Sequence, residues 1–368
     1  METIHTHQLE IAQWFLFQGT PRSLESFGNG HINDTFLFVT QIEGTEKHYI
    51  LQRINQTVFT RPVDVMENIV GITDYLSDIV PTLTDGKRRI IRSIIPSRSG
   101  KSYYIDEKGD LWRMFDCVKD AVCYDFPDTT LLFEQSARAF GDFFMLLADY
   151  PATTLHETIQ NFHNTPARLL QLETAIACDP LGRVSCVQPE IDFVMAHRED
   201  IPKLVALQEA GVLPTRVTHN DTKLNNVLFD SVTGDGVCVI DLDTVMPGLA
   251  AYDFGDAVRF GANTAAEDEQ DLSLCHFSID MYRAYVRGFL ACAGSKLTTV
   301  EIETLPLGAK LMTLECGMRF LTDHINGDTY FKIHRENQNL DRCRTQFKLV
   351  ADMEAHWDEM LAIIREMA

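Results

Sequence analysis

At 368 residues, 45% of them hydrophobic, the chain is long enough for two domains with cores of their own. Its 32 Lys and Arg stand against 53 Asp and Glu, a net charge of −21 that argues against nucleic acid or anionic membrane as a partner. Any anionic ligand must be met by local cations or metal.

Residues 6 to 18 read as a short amphipathic helix. Leu24–Phe27, Thr35–Val39 and His48–Gln52 read as strands joined by Gly-containing turns. Residues 62 to 77 read as a helix with Pro62 near its first turn. Further strands are expected at Ile90–Ile95, Ser102–Ile105 and Leu111–Phe115. After residue 128 the period changes: Leu132, Phe133, Ala137, Phe140, Phe144 and Leu147 recur at helical spacing. Helices are expected near 166–178, 189–210, 268–291, 299–325 and 342–366, interrupted by a hairpin-like stretch at 215–245. The switch sets an expected boundary, with residues 1–116 as a nucleotide-binding part and 117–368 as a helical part with catalytic loop and acceptor site. Nine cysteines with no C-x-x-C suggest reduced thiols in a cytoplasm. The first residues lack the order of a signal peptide, and no apolar run nears the ~18 residues that span a bilayer.

The hairpin-like stretch carries the chemistry. Val217-Thr218 delivers His219, Asn220 and Asp221, and Asn226 follows five residues after that Asp. A second apolar run, Val239-Ile240, ends in Asp241 and Asp243. Phosphoryl transfer needs one carboxylate to orient a hydroxyl, and hard oxygens to hold Mg²⁺ on nucleotide phosphates. Asp221 is the candidate base; Asn226 and Asp241 are the candidate metal ligands. Asp243, read as facing the same side of a strand as Asp241, is a candidate for metal or substrate. His219 reads as structural, and Lys223 as within reach of the transferring phosphate. Gly28-Asn29-Gly30-His31-Ile32-Asn33 lies between two strands, where glycines let backbone N–H groups approach phosphate. His31 and Asn33 are its polar tips. Downstream, Asp253 reads as a buttress of the catalytic loop, with Arg259 as its possible partner. Arg319 stands in an apolar helix, where it needs either Glu315 or a ligand oxygen.

These residues resemble the aminoglycoside phosphotransferase and choline kinase superfamily: His219-Asn220-Asp221 through Asn226, Ile240-Asp241-Leu242-Asp243, and Tyr252-Asp253-Phe254-Gly255-Asp256. Within it the chain looks most like the N-acetylhexosamine 1-kinases, through stretches such as residues 28–33, 216–226 and 315–321. The resemblance implies an α+β, two-lobed protein-kinase-like fold with ATP in the cleft. It implies Mg²⁺-dependent phosphorylation of the anomeric hydroxyl of N-acetylglucosamine or N-acetylgalactosamine. It implies Gly28, Gly30, Gln52, Phe115 and Cys117 at the nucleotide, and His31, Asn33, Asp221, Asp243, Arg319 and Tyr330 at the sugar. The expected assembly is a monomer or weak homodimer. One departure stands out. Gln52 occupies the strand position where kinases carry a phosphate-binding Lys, so Glu67 on the next helix lacks that partner. The phosphates must then be neutralised by metal, the glycine-rich turn or Arg53. Two other readings stay open: a kinase of an aminoglycoside, choline or different sugar, and a nucleotide-binding pseudokinase.

Overall fold

Short alternating segments build the first third of the chain. The structure, a computed structural model, describes residues 6–28 and 32–368. A helix, α1 (Thr6–Ala12), leads into β1 (Thr20–Ser26), β2 (Asp34–Ile42) and β3 (Thr45–Arg53). Helix α2 (Pro62–Ile79) follows, with Pro62 at its start, where the missing N–H would be unpaired anyway. Strands β4 (Tyr104–Ile105) and β5 (Leu111–Asp116) complete an antiparallel sheet of order β1-β2-β3-β5-β4. Both sheet faces are covered. One packs Phe36, Phe38, Tyr49, Leu51, Trp112 and Met114 with Ile11 and Phe15. The other packs Leu111 and Phe115 on Val65, Met66 and Ile69 of α2.

After β6 (Ala121–Val122) come helices α3 (Thr130–Leu146), α4 (Thr165–Cys178), α5 (Gln188–Ala196) and α6 (Lys203–Glu209). A small β region holds the motif: β7 (Arg216–Thr218), β8 (Val227–Asp230), β9 (Gly236–Val239) and β10 (Met246–Gly248). Strand β7 pairs with β10, and β8 lies between β6 and β9. Helices α7 (Ala250–Gly261), α8 (Ile279–Ala293), α9 (Thr299–Asn326), α10 (Gln338–Ala355) and α11 (Trp357–Met367) finish the chain. The α+β class therefore holds, with an antiparallel sheet first and a helical region after it. Among the described residues no helix is long and apolar enough to cross a membrane.

Several element expectations are corrected. Residues 90–95 form no strand: Ile94 makes an isolated bridge to Phe115, and the Ile90 N–H donates to Val237. The apolar run there packs side chains, with Ile91, Ile94 and Ile95 reaching three different clusters, rather than building a ladder. Helix α1 ends at Ala12, short of residue 18. The span 189–210 divides into α5 and α6, with Pro202 at the N-cap of the second. Helix α8 starts only at Ile279, where the Ser278 side chain caps it. The 342–366 helix breaks at His356. Helix α7 is not among the helices that the spacing predicts. It packs almost backbone to backbone on α9: a Cβ on Gly255 would sit 2.4 Å from the Gly308 carbonyl oxygen. That closeness aims the carboxylates of α7 at the loop that follows β7.

Candidate active site

The loop between β7 and β8 is fixed from below by α7. Asp253, 4% exposed, accepts from the backbone N–H groups of His219 (2.8 Å) and Asn220 (2.7 Å) through its two oxygens. Burial pushes its carboxyl up to about 6, against the pull of these donors and of the His219 ring. Asp256 accepts from the Thr222 N–H at 3.0 Å, and the Thr222 hydroxyl donates to the Asp253 carbonyl at 2.6 Å. Arg259 pairs with Asp256 and Glu267, not with Asp253. His219 is fully buried. Its Nε2 lies 2.9 Å from the Ile240 carbonyl and its Nδ1 accepts from the Asp221 N–H, so it ties the loop to the end of β9. Asn220 takes a left-handed backbone (φ 63°), and its side chain bridges Thr218 and the Thr244 carbonyl. Asp and Asn tolerate this region better than other side chains, which accounts for an Asn here.

Asp221 projects from this frame. Asn226 donates from Nδ2 to its backbone oxygen (2.8 Å) and its carboxylate (3.0 Å), and Lys223 Nζ lies 2.7 Å from its other oxygen. Enclosure by protein works to raise the Asp221 pKa, but Lys223, His219 and Asn226 outweigh it and hold the carboxyl below its ordinary value. Lys223 therefore sits on Asp221 itself. Asp241 is past the end of β9, in a left-handed conformation (φ 59°), so the strand-alternation argument that paired it with Asp243 does not apply. Asp241 is an exposed residue, but the protein around its carboxylate displaces part of the water that would solvate the charge. That enclosure, then the carboxylates of Asp243 and Asp221, push its pKa up to about 6, while Arg113 and His219 pull down. No described residue donates to the Asp241 carboxylate or to the Asn226 Oδ1, whereas Asn226 Nδ2 is occupied. The Ile240 N–H donates to the Asn226 carbonyl at 2.9 Å, which brings the two residues to one place. Crowded carboxylates and an unpaired amide oxygen are a donor set that fits Mg²⁺.

On the sheet side, Asp243 is 3% exposed and already engaged. Arg113 Nη1 lies 2.5 Å from its Oδ1, and Asn33 donates to its Oδ2 at 2.7 Å. Asn33 in turn accepts from the Asn55 N–H. Gln52 accepts from Arg113 Nε at 3.0 Å and donates to the Thr35 hydroxyl. Arg53 pairs with Asp34 and Asp110, and Glu67 lies 2.7 Å from His156 Nε2. Phe115 lies under the guanidinium of Arg92, 4.4 Å from the ring centre. The Cys117 N–H donates to the His48 carbonyl, carrying the β3–β5 pairing one residue past Asp116. Gly28 adopts φ 78° with open space where a Cβ would go. Gly30 and His31 lie outside the described residues.

On the helical side, Glu315 does not pair with Arg319. It holds His163 Nδ1 (3.0 Å) and the Thr165 hydroxyl (2.8 Å), while His163 Nε2 lies 3.1 Å from the Asn220 carbonyl. Burial works against charge on His163, but Glu315 overrides it and raises the ring's pKa. Arg319 is left with aromatic neighbours: the rings of Phe162, Phe331 and Tyr330, at 5.3, 5.4 and 6.0 Å. Tyr330 is exposed.

Residues 23–287 match the phosphotransferase enzyme family (APH). The chain belongs to this family. Solved structures show the same fold at low identity. An aminoglycoside phosphotransferase from Alicyclobacillus acidocaldarius superposes with a TM-score of 0.59 at 12% identity, covering 97% of this chain and 95% of its own. A spectinomycin phosphotransferase in complex with ADP and spectinomycin gives 0.57 at 13% identity, covering 98% and 100%. A choline kinase from Cryptosporidium parvum gives 0.52 at 13% identity, covering 94% and 92%.

For a phosphotransferase, two site residues escape a reading of motifs. His163 lies far from the loop in sequence and nothing around it marks it. Arg113 carried a signal: an Arg inside the apolar strand Leu111-Trp112-Arg113-Met114-Phe115 must have a partner.

Proposed function

We propose that this phosphotransferase is an ATP- and Mg²⁺-dependent kinase of the anomeric hydroxyl of free N-acetylhexosamines. The observation that carries the reading is the convergence of Asp221, Asn226 and Asp241, with Arg319 on the acceptor side paired to no carboxylate among the described residues. In this reading Asp221, kept ionised by Lys223 and Asn226, accepts a hydrogen bond from the sugar O1–H. The O1–phosphorus bond forms as the bond from the γ-phosphorus to the β–γ bridging oxygen breaks, and the proton passes to Asp221 late in that motion. A Mg²⁺ ion held by Asn226 and Asp241 would neutralise the phosphate oxygens. ADP and the sugar 1-phosphate are the products.

The acceptor assignment rests on the resemblance and on charge. Arg319 and Arg168 lie close enough to depress the Arg168 pKa, after the burial of Arg168 itself, and Lys223 is nearby on Asp221. A neutral polyol suits these cations, and an Arg fork takes two ring oxygens at once. A cationic acceptor such as choline or an aminoglycoside would be repelled by them. The test is ADP release over N-acetylglucosamine, N-acetylgalactosamine, their methyl glycosides, choline and an aminoglycoside. The free sugars should react and the methyl glycosides, with O1 blocked, should not. Equal turnover of a methyl glycoside would move the acceptor to another hydroxyl. Turnover of the amines alone would remove the sugar reading.

A further inference from the structure

A nucleoside triphosphate needs a cation on the sheet side of its phosphates, and the usual strand Lys is Gln52 here. The structure points to what stands in its place. Gln52 lies directly across from Arg113 in the β3–β5 register, and Thr35 lies across from Gln52 on β2. The three side chains form one row: Thr35 Oγ1 accepts from Gln52 Nε2 at 3.0 Å, and Gln52 Oε1 accepts from Arg113 Nε at 3.0 Å. Gln52 is thus an orienting group, not a charge. Arg113 is 1% exposed, so its guanidinium has been taken out of water at a cost that only anions can offset. Its Nη1 faces Asp243, with Met66 Sδ at 4.0 Å, and Nη2 donates to no described residue. The carboxylates around it, Asp243 and the nearby Asp241, belong to the same end of β9 that carries the candidate metal ligand.

We infer that Arg113 is the sheet-side cation for the nucleotide phosphates, aimed by Gln52 on one flank and Asp243 on the other. The inference rests on the ATP reading above. A guanidinium suits the role: two fixed nitrogens can hold a carboxylate and a phosphate oxygen at the same time, where an ammonium is a point charge.

The test is calorimetric binding of ATP, with Mg²⁺, and of adenosine to three proteins: the parent, Arg113→Met, and Arg113→Met with Gln52→Lys. A phosphate contact predicts that Arg113→Met weakens ATP by about 10- to 100-fold, the span of a charge-assisted hydrogen bond. Adenosine affinity, which involves no phosphate, should stay within about threefold of the parent. The double variant returns a cation to the usual strand position and should recover about tenfold of the ATP loss. Undiminished ATP binding by Arg113→Met overturns the inference. So does an equal loss for ATP and adenosine, which would make Arg113 a structural partner of Asp243 only. If the parent itself binds no ATP, the kinase reading falls and this inference falls with it.

Discussion

Asp241 can serve as a ligand only as a carboxylate, and its surroundings resist that form. Enclosure and two neighbouring carboxylates hold its pKa near 6, above the ~3.9 of a free Asp. The folded protein without metal therefore binds more protons than the unfolded chain between those values. By linkage, this group's contribution to stability falls as pH rises from about 4 to about 6. A divalent cation reverses the balance by displacing the proton. Below pH 6 the proton competes, so the half-saturating Mg²⁺ concentration should rise by about tenfold between pH 7.5 and pH 5. Mg²⁺ titrations of nucleotide binding at the two pH values check this. A Mg²⁺ requirement that stays flat would mean that Asp241 is no ligand. The place of this residue beside Asn226 is legible in the sequence because the apolar lead-in and the spacing from Asn226 are local features. Its left-handed backbone is not, since Asp is only enriched in that conformation, not confined to it.

At the scale of elements, α7 shows what sequence pattern misses and why. Ala250–Gly261 contains two glycines and several charges, and Gly lowers helix propensity by ~1 kcal/mol relative to Ala. Packing decides the matter instead: Phe254, Ala257 and Val258 join the helical core, and Gly255 meets Gly308 of α9. Residues 90–95 show the converse: an apolar run reads as a strand because burial and pairing give the same signal, yet only an isolated bridge forms there. Gly255→Ala separates propensity from packing. Propensity alone predicts stabilisation by ~1 kcal/mol. The added Cβ, however, would lie 2.4 Å from the Gly308 carbonyl oxygen, a backbone atom that cannot rotate away. Overpacking of that kind costs ~1–3 kcal/mol, so the net effect should be a lower melting temperature. Turnover should fall as well, because a shift of α7 carries Asp253 and Asp256 away from the loop they brace. A variant as stable and active as the parent would show that α7 and α9 can part without consequence.

Across the whole molecule the net charge is −21, yet cations gather at the site: Arg113 toward the sheet, Lys223 on Asp221, Arg319 among aromatic rings. The two sides of the site are joined by pairings that no local pattern could reveal. Asn33 and Asp243 stand 210 residues apart and share a 2.7 Å hydrogen bond. The sequence marks each of them as a candidate contact for the acceptor, and the geometry gives them first to each other. Asn33 also accepts from the Asn55 N–H just beyond β3, so it clasps the sheet to the segment that carries Asp241. Asn33→Ala cuts both bonds without adding bulk. If the clasp holds the sheet over the loop that carries Asp221, residues 34–53 should exchange amide hydrogens faster. Turnover should fall about tenfold, the lower end for a hydrogen bond to a charged group, with the Michaelis constant for the acceptor nearly constant. If Asn33 instead serves the acceptor directly, that constant rises and exchange in 34–53 stays at the parent rate. Unchanged exchange would remove the clasp, because a bond that restrains the sheet cannot be lost without loosening it.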